Sequence, residues 1–197
     1  MAEFSRGFGG RRRDTDVRLP PGQYLTEDFP VLSAGPTPRI PTDEWAFSIT
    51  TETGERLTWS WAELMALPAE QVTTDIHCVT RWSKLGTSWR GVSLDVLFAD
   101  VETSLDFAMV HSYGGYTTNV ALEDLLDERS WVAFEFDGEP LDPEHGGPAR
   151  LLVPHLYFWK SAKWVRGIEL QERDDPGFWE QNGYHLHGDP WTEERYW

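Results

Sequence analysis

The one cysteine of the chain, Cys78, stands in DIHCVTRWSKLGTSWRGVSLDVLF, next to His77 and ahead of Arg81, Lys84 and Arg90. A thiol does chemistry as the thiolate, and neighbouring cations or a metal favour that form. In a chain whose formal net charge is −16, basic residues gathered behind the only thiol are a local departure. Two chemistries suit such a group: a soft ligand to a transition metal, or a nucleophile with a histidine as base. The bland alternative is a buried small hydrophobe, the commonest fate of a free cysteine, and composition alone favours it. His185 and His187 in YHLH are spaced for one side of a strand. With His77 or His155 they make a thin metal set that lacks a third firm ligand. No GxSxG elbow is present, so an α/β-hydrolase nucleophile has no support.

The elements that must position these groups are short. WAFSITT (45–51) alternates and reads as a strand, Thr53-Gly54 as a turn and 56–59 as a second strand. Ser60 is placed to cap a helix over WAELMAL that Pro68 ends. VTTDIHCV (72–79) reads as a strand delivering His77 and Cys78. Ser93 caps a helix over LDVLFADV, and 107–111 is a strand before the Gly114-Gly115 turn. Leu122–Leu126 is a short helix with Asn119 as its cap. SWVAFEF (130–136) opens a hairpin at Asp137-Gly138, 149–153 is a strand ahead of Pro154, and WVRGIELQE (164–172) is the last clear strand. Six prolines between Pro20 and Pro41 rule out regular helix there and predict an extended run laid into a groove. Many short strands with interspersed short helices predict an α+β domain with mixed, mainly antiparallel sheets. Residues 1–18, charged and Gly-rich, are expected to be a flexible N-terminal tail, and 19–197 a single domain.

Composition narrows the partners. The sequence pI is near 4.6, so phosphate backbones and anionic lipid would repel the chain; nucleic acid and membrane insertion are not expected. A lone cysteine allows no internal disulfide, CxxC pair or iron–sulfur cluster. No run has the length and apolarity of a membrane span. Arg11, Arg12 and Arg13 are followed by charged residues rather than an apolar stretch, so a cytoplasmic location is expected.

HCVTRWSKLGTSWRGVSL resembles the cysteine segment of the sulfite oxidase superfamily, in which a Cys-Val pair and a later Trp-x-Gly supply the molybdenum thiolate. Cys78, Val79, Trp82, Ser83, Trp89 and Gly91 match. HGGPARLLVPHLYFWKSAKWVRGIEL is similar to the family's pterin-binding stretch, through His145, Gly146, Pro148 and Arg150 and then Ser161, Ala162, Lys163 and Trp164. The PPGQYLTEDFPVLSAGPTP run, SYGGYTTNVALEDLL and the last twenty or so residues agree more loosely. Together the resembling segments span nearly everything after residue 18.

The resemblance implies a sulfite oxidase-type molybdopterin-binding fold and a molybdenum–molybdopterin cofactor ligated by Cys78. Arg150 would grip the pterin phosphate bidentately and Lys163 as a point charge. Backbone N–H groups around Ser161, Ala162 and Lys163 would complete a nest. Tyr24, Ser112 and His145 would contact the pterin, Arg81 and Lys84 would attract an oxyanionic substrate, and Trp82 would wall the site. The implied reaction is oxygen-atom transfer on a small molecule, a sulfite-like oxyanion or a sulfoxide, with electrons exchanged with a separate carrier. One departure stands at the centre: Thr80 occupies a position where the periplasmic methionine-sulfoxide reductase has Glu. The rival readings are a cofactor-free interaction module of the same fold and a thiol enzyme with Cys78 as nucleophile and His77 or another histidine as base. For Arg150 and Lys163 the bland alternative is a surface ion pair; for Trp82, core packing.

Overall fold

The computed structural model describes residues 18–197. Apart from Arg18, the segment expected to be a flexible tail lies outside the described residues. The remainder folds into two sheets with few and short helices. In chain order the elements are β1 (Tyr24–Leu25), β2 (Ala46–Thr50), β3 (Arg56–Ser60), α1 (Trp61–Ala66), β4 (Glu70–His77), β5 (Trp82–Ser93), α2 (Leu94–Leu97), β6 (Phe107–Ser112), β7 (Thr117–Ala121), α3 (Leu122–Leu125), β8 (Trp131–Phe136), β9 (Glu139–Pro140), β10 (Arg150–Leu152), β11 (Val165–Gln171) and α4 (Phe178–Gln181). A single 3₁₀ turn, Pro143–His145, precedes β10.

The first sheet runs β1-β5-β8-β10, with β4 also on β5 and β9 on β8; the second runs β3-β2-β11-β6-β7. All pairs are antiparallel except β1 with β5 and β2 with β11. This is the α+β arrangement the element pattern predicts. Alternation along β8 and β10 gives the first sheet two working faces. Val132, Phe134 and Leu151 join Phe47, Ile49, Val110 and Ile168 of the second sheet in one core. Trp131, Ala133 and Leu152 turn the other way, into a second cluster with Ile76, Trp89, Tyr157 and Cys78. Full burial of side chains this size stabilises by about 1.5–3 kcal/mol each, so the cysteine sits on a stiff bed.

The expected cap at Ser60 is present as a capping box: Ser60 N–H donates to Glu63 Oε2 at 2.8 Å and Glu63 N–H to Ser60 Oγ at 3.3 Å. Asn119 is not a cap. It lies inside β7, and α3 starts after Ala121 with no side-chain cap. The longest strand, β5, was not expected from the sequence and runs through Gly86 and Gly91. At Gly91 an added Cβ would lie 2.7 Å from the Val132 carbonyl oxygen; the glycine is there because two strands approach too closely for any side chain.

Candidate functional site

β4 ends at His77 and hands Cys78 to a tight turn. Cys78 N–H donates to the Trp82 carbonyl at 2.9 Å, and Arg81 N–H donates to the Cys78 carbonyl at 2.9 Å. Arg81 has φ +81°, a left-handed conformation that costs a non-glycine residue about 1–2 kcal/mol. The turn sends the chain straight back into β5. The thiol is buried, and its Sγ accepts a hydrogen bond from Thr80 Oγ1 at 3.1 Å. Burial pushes the Cys78 thiol up, opposed by the Thr80 hydrogen bonds and by the charges of Arg195 and Lys163. Ligation by a metal would remove that proton.

Cys78 opens on a cavity of about 580 Å³. Its walls come from the proline-rich run around Phe29 to Pro38, the Gly114-Gly115 turn, and the stretch from Phe158 to Trp164. Phe178, Trp179 and Tyr184 complete it with aromatic surface. The proline-rich run therefore walls the cavity rather than lying sunk in a groove as expected: Phe29 faces inward, while Tyr24, Val31 and Leu32 are exposed. Tyr116 Oη donates to the Trp159 carbonyl at 2.7 Å and ties the glycine turn to the opposite wall.

Two cations enter this cavity, and neither is a surface ion pair. Arg150, on β10, is 1 % exposed. Its Nη1 donates to the His145 carbonyl and its Nη2 to the Ser161 carbonyl, each at 2.7 Å. The guanidinium lies 4.1 Å above the centre of the Phe158 ring. Burial brings its pKa down to about 9. Lys163 Nζ donates to the carbonyls of Leu32 at 2.8 Å and Glu144 at 2.6 Å; burial and the nearby Arg150 bring it down to about 8. Among the described residues neither has a carboxylate partner. The HGGP turn is what lets them approach. A Cβ on Gly146 (φ +109°) would stand 3.0 Å from Arg150 Cβ and 3.1 Å from Lys163 Cα.

His145, in the 3₁₀ turn, stacks on Phe29 with centroids 3.9 Å apart. Burial and the two cations push its pKa down, so the ring is neutral at pH 7. Its Nδ1 is buried without a hydrogen-bond partner, as is Nε1 of Trp82.

Of the residues singled out from the sequence, Cys78, Trp82, His145, Arg150, Ser161, Ala162 and Lys163 line one cavity. Tyr24, Arg81, Lys84 and Ser112 do not. Tyr24 is 57 % exposed on β1 and meets the cysteine turn only through its backbone N–H, donated to the Arg81 carbonyl; Phe29 faces the cavity instead. Arg81 is exposed at the outside of the turn. Lys84 Nζ is held by the Glu27 carbonyl at 2.6 Å. Ser112 is buried at the end of β6, and the glycines after it do the lining. The expected backbone nest also needs correction. Ser161 N–H is taken by the Phe158 carbonyl at 3.2 Å and Ala162 N–H by the Lys160 carbonyl at 3.1 Å. Ser161 acts through its carbonyl to Arg150 and through Oγ, which accepts from Val153 N–H at 2.8 Å.

Thr80, noted in the sequence only as a departure, bonds the sulfur, and sequence reading missed Gln23 and Arg195 on the turn. Gln23 Nε2 donates to the Cys78 carbonyl at 3.0 Å and Arg195 Nη1 to the Val79 carbonyl at 2.6 Å. Sequence distance hid the last two. His185 and His187 occupy no strand; they engage Glu194, and His187 also Asp124. Among the described residues no group of three or more His, Cys, Asp or Glu is arranged to hold a metal, and no helix is long and apolar enough to cross a membrane.

Comparisons with known proteins agree with this geometry. Residues 34–179 match the model of the oxidoreductase molybdopterin binding domain. The chain is 43 % identical over 189 residues to the uncharacterized oxidoreductase YuiH of Bacillus subtilis, covering 94 % of this chain and 96 % of that one. It is 29 % identical over 196 residues to the putative protein-methionine-sulfoxide reductase subunit YedZ1 of Azospira oryzae, covering 95 % of this chain and 74 % of that protein. The sulfane dehydrogenase SoxCD of Paracoccus pantotrophus shares the fold, with a TM-score of 0.64 at 20 % identity. That match covers 75 % of this chain and 42 %, less than half, of the other. The chain belongs to the oxidoreductase molybdopterin-binding domain family, within the sulfite oxidase superfamily.

Proposed function

We propose that this oxidoreductase holds a molybdenum–molybdopterin cofactor through the Cys78 thiolate and reduces an uncharged S-oxide, taking electrons from a separate carrier. The observation that carries the reading is the charge layout of the cavity. Among the described residues its lining holds Cys78, the buried Arg150 and the half-buried Lys163, neither with a carboxylate partner, and no acid. A buried cation without a counterion costs free energy that an anionic ligand relieves. The phosphate of the pterin fits Arg150 and Lys163. The unpartnered His145 Nδ1 and Trp82 Nε1 suit a heterocycle rich in donors and acceptors. One thiolate is the only soft ligand available here, which suits a metal that brings its remaining ligands with it.

Bound molybdenum supplies oxygen-atom transfer coupled to a two-electron change at the metal. The chain supplies the setting. Cys78 ligates and is oriented by its turn, Arg150 and Lys163 fix the anionic end, and the aromatic wall excludes water. The substrate class follows from what remains. With Arg150 and Lys163 given to phosphate, the described lining of the cavity offers no further cation, since Arg81 and Lys84 face elsewhere. A sulfite-type oxyanion would meet no fixed charge. A sulfoxide with an apolar body fits the walls of Phe178, Trp179 and Tyr184, and the name of the Azospira relative agrees. Overall, one sulfoxide, two electrons and two protons give a thioether and water. Against the thiol-enzyme alternative, burial pushes the thiol up, Sγ accepts from Thr80 Oγ1, and His77 Nδ1 is engaged with Ser83 Oγ at 2.8 Å. With a single cysteine, a cytoplasmic setting is part of the proposal.

The test is molybdenum and pterin content per chain, for wild type and Cys78→Ser expressed with molybdate, followed by reduction of dialkyl sulfoxides against oxidation of sulfite. Near-stoichiometric metal in the wild type with sulfoxide turnover, and turnover abolished in Cys78→Ser, is the expected result. Folded wild type without metal or pterin would instead point to a cofactor-free module. Sulfite turnover exceeding that of sulfoxides would overturn the substrate assignment.

A further inference from the structure

We infer that Arg195 and Gln23 are positioning residues for the Cys78 thiolate, clamping its turn between two distant parts of the chain. The inference rests on Cys78 as the metal ligand, but its geometry stands by itself. The Cys78 carbonyl accepts from Arg81 N–H within the turn and from Gln23 Nε2 across it. The next carbonyl, Val79, accepts Arg195 Nη1 at 2.6 Å, while Arg195 Nη2 donates to the Pro21 carbonyl at 3.1 Å. One guanidinium thus bridges the proline-rich run and the cysteine turn, using the fork geometry that only arginine offers.

Arg195 is placed for this rather than for an ion pair. It is 7 % exposed, and its guanidinium lies 4.9 Å above the ring centre of fully buried Tyr157. Among the described residues its carboxylate partner is Glu193, 3.7 Å from Nε and half-exposed. Gly22 confirms how closely the three segments meet. Its φ is +70°, and an added Cβ would stand 2.8 Å from Glu193 Oε1 and 3.4 Å from Arg195 Nη2. The cysteine turn contains a left-handed Arg81. A strained turn holds one geometry only when its surroundings over-determine it. Gln23 and Arg195 supply two of the bonds that do so, and neither lines the cavity.

The test uses the full chain with Arg195→Met, Arg195→Lys and Gln23→Met, and Arg90→Met as a control whose guanidinium meets Glu135 and the Phe134 ring and no part of the cysteine turn. Methionine fills the space of the buried arginine stem and removes the fork; lysine keeps charge without bridging two carbonyls. Hydrogen exchange of the Val79–Arg81 amides in metal-free protein is the first readout. It should quicken roughly tenfold in Arg195→Met, less in Gln23→Met, and be unchanged in the control. The Mo(V) paramagnetic resonance signal of partly reduced enzyme is the second. It should broaden or split in Arg195→Met, with Arg195→Lys between it and wild type. Lower melting temperature with an unchanged Mo(V) signal would overturn the positioning role and leave a packing role. Unchanged exchange would overturn the clamp itself. Molybdenum-free wild type with faster exchange in the variants would refute the cofactor reading, and with it the metal side of this one, while leaving the clamp.

Discussion

Arg150 and Lys160 are ten residues apart and both are sealed from solvent, yet they are treated oppositely. Lys160 Nζ meets Glu180 Oε1 at 2.7 Å, with both side chains fully buried, and it also donates to Asn119 O at 2.7 Å and Oδ1 at 3.0 Å. Glu180 in turn accepts Trp159 Nε1 and Thr118 Oγ1, each at 2.8 Å. That pair is closed: charge is cancelled, and the network braces the aromatic wall from behind. Arg150 meets carbonyl oxygens only. Side-chain burial is the same in the two cases; the difference is whether the protein supplies the counterion or leaves it to a ligand.

The largest effect should come from breaking the closed pair. Lys160→Met strands a buried carboxylate and should cost about 3–5 kcal/mol in urea unfolding. Adding Glu180→Leu should recover much of it, and a double variant no better than the single would contradict the account of that pair. Next, Arg150→Met should behave unlike Lys160→Met. In cofactor-free protein it should cost only about 1–2 kcal/mol, for two carbonyls that lose donors. In cells supplied with molybdate it should strip pterin from the purified chain, consistent with losing about 1.5–3 kcal/mol of phosphate binding. Equal losses for both variants in the cofactor-free state would erase the contrast. A gentler probe is inorganic phosphate. At ten times its dissociation constant it should stabilise cofactor-free wild type by about 1.4 kcal/mol, seen as a raised melting temperature, and should do nothing for Arg150→Met.

The smallest effect concerns a third ionic group, half-exposed and far less committed. His187 sits between Asp124 (3.2 Å) and Glu194 (2.8 Å). Its hydrogen bond to Asp124 is the main cause that raises it from 6.5 to about 9, against desolvation. Asp124 is held below its ordinary 3.8 by its bonds to His155 and His187, despite burial. A raised histidine stabilises fully below 6.5 and loses its contribution as pH climbs through 9; a lowered aspartate does so above 3.8 and loses it in acid. The docked C-terminal segment should therefore be firmest between about pH 4 and 6.5. After solvent screening the alkaline decline should be about 1 kcal/mol or less. Melting temperature against pH should show it in wild type, and His187→Asn should flatten the alkaline side.

Much of this was legible in the sequence and some was not, for identifiable reasons. The Ser60 cap, the 46–50 and 165–171 strands and the Asp137-Gly138 hairpin are local features, written in local residue choice. The cysteine segment and the HGGP and SAKW stretches pointed to residues that do share one cavity. Proximity in sequence misled at Arg81 and Lys84. A one-turn reversal places neighbours of Cys78 on the outside, so cations three and six residues on never reach the sulfur side. β5 was hidden because glycine signals a breaker as readily as a close strand approach. Gln23 and Arg195 carried no signal, since a side chain that bonds a carbonyl over fifty residues away leaves no periodicity and no spacing.

The unmatched guanidinium of Arg150 has a consequence for the life of the chain in a cell. If the interior charge is relieved only when cofactor arrives, folding stability rises with cofactor supply by mass action. Chains made while the pterin cofactor is short would open more often and be more readily degraded. Abundance of the protein would then follow the supply of its cofactor without a dedicated regulator, quality control having read the loading state through a single buried side chain.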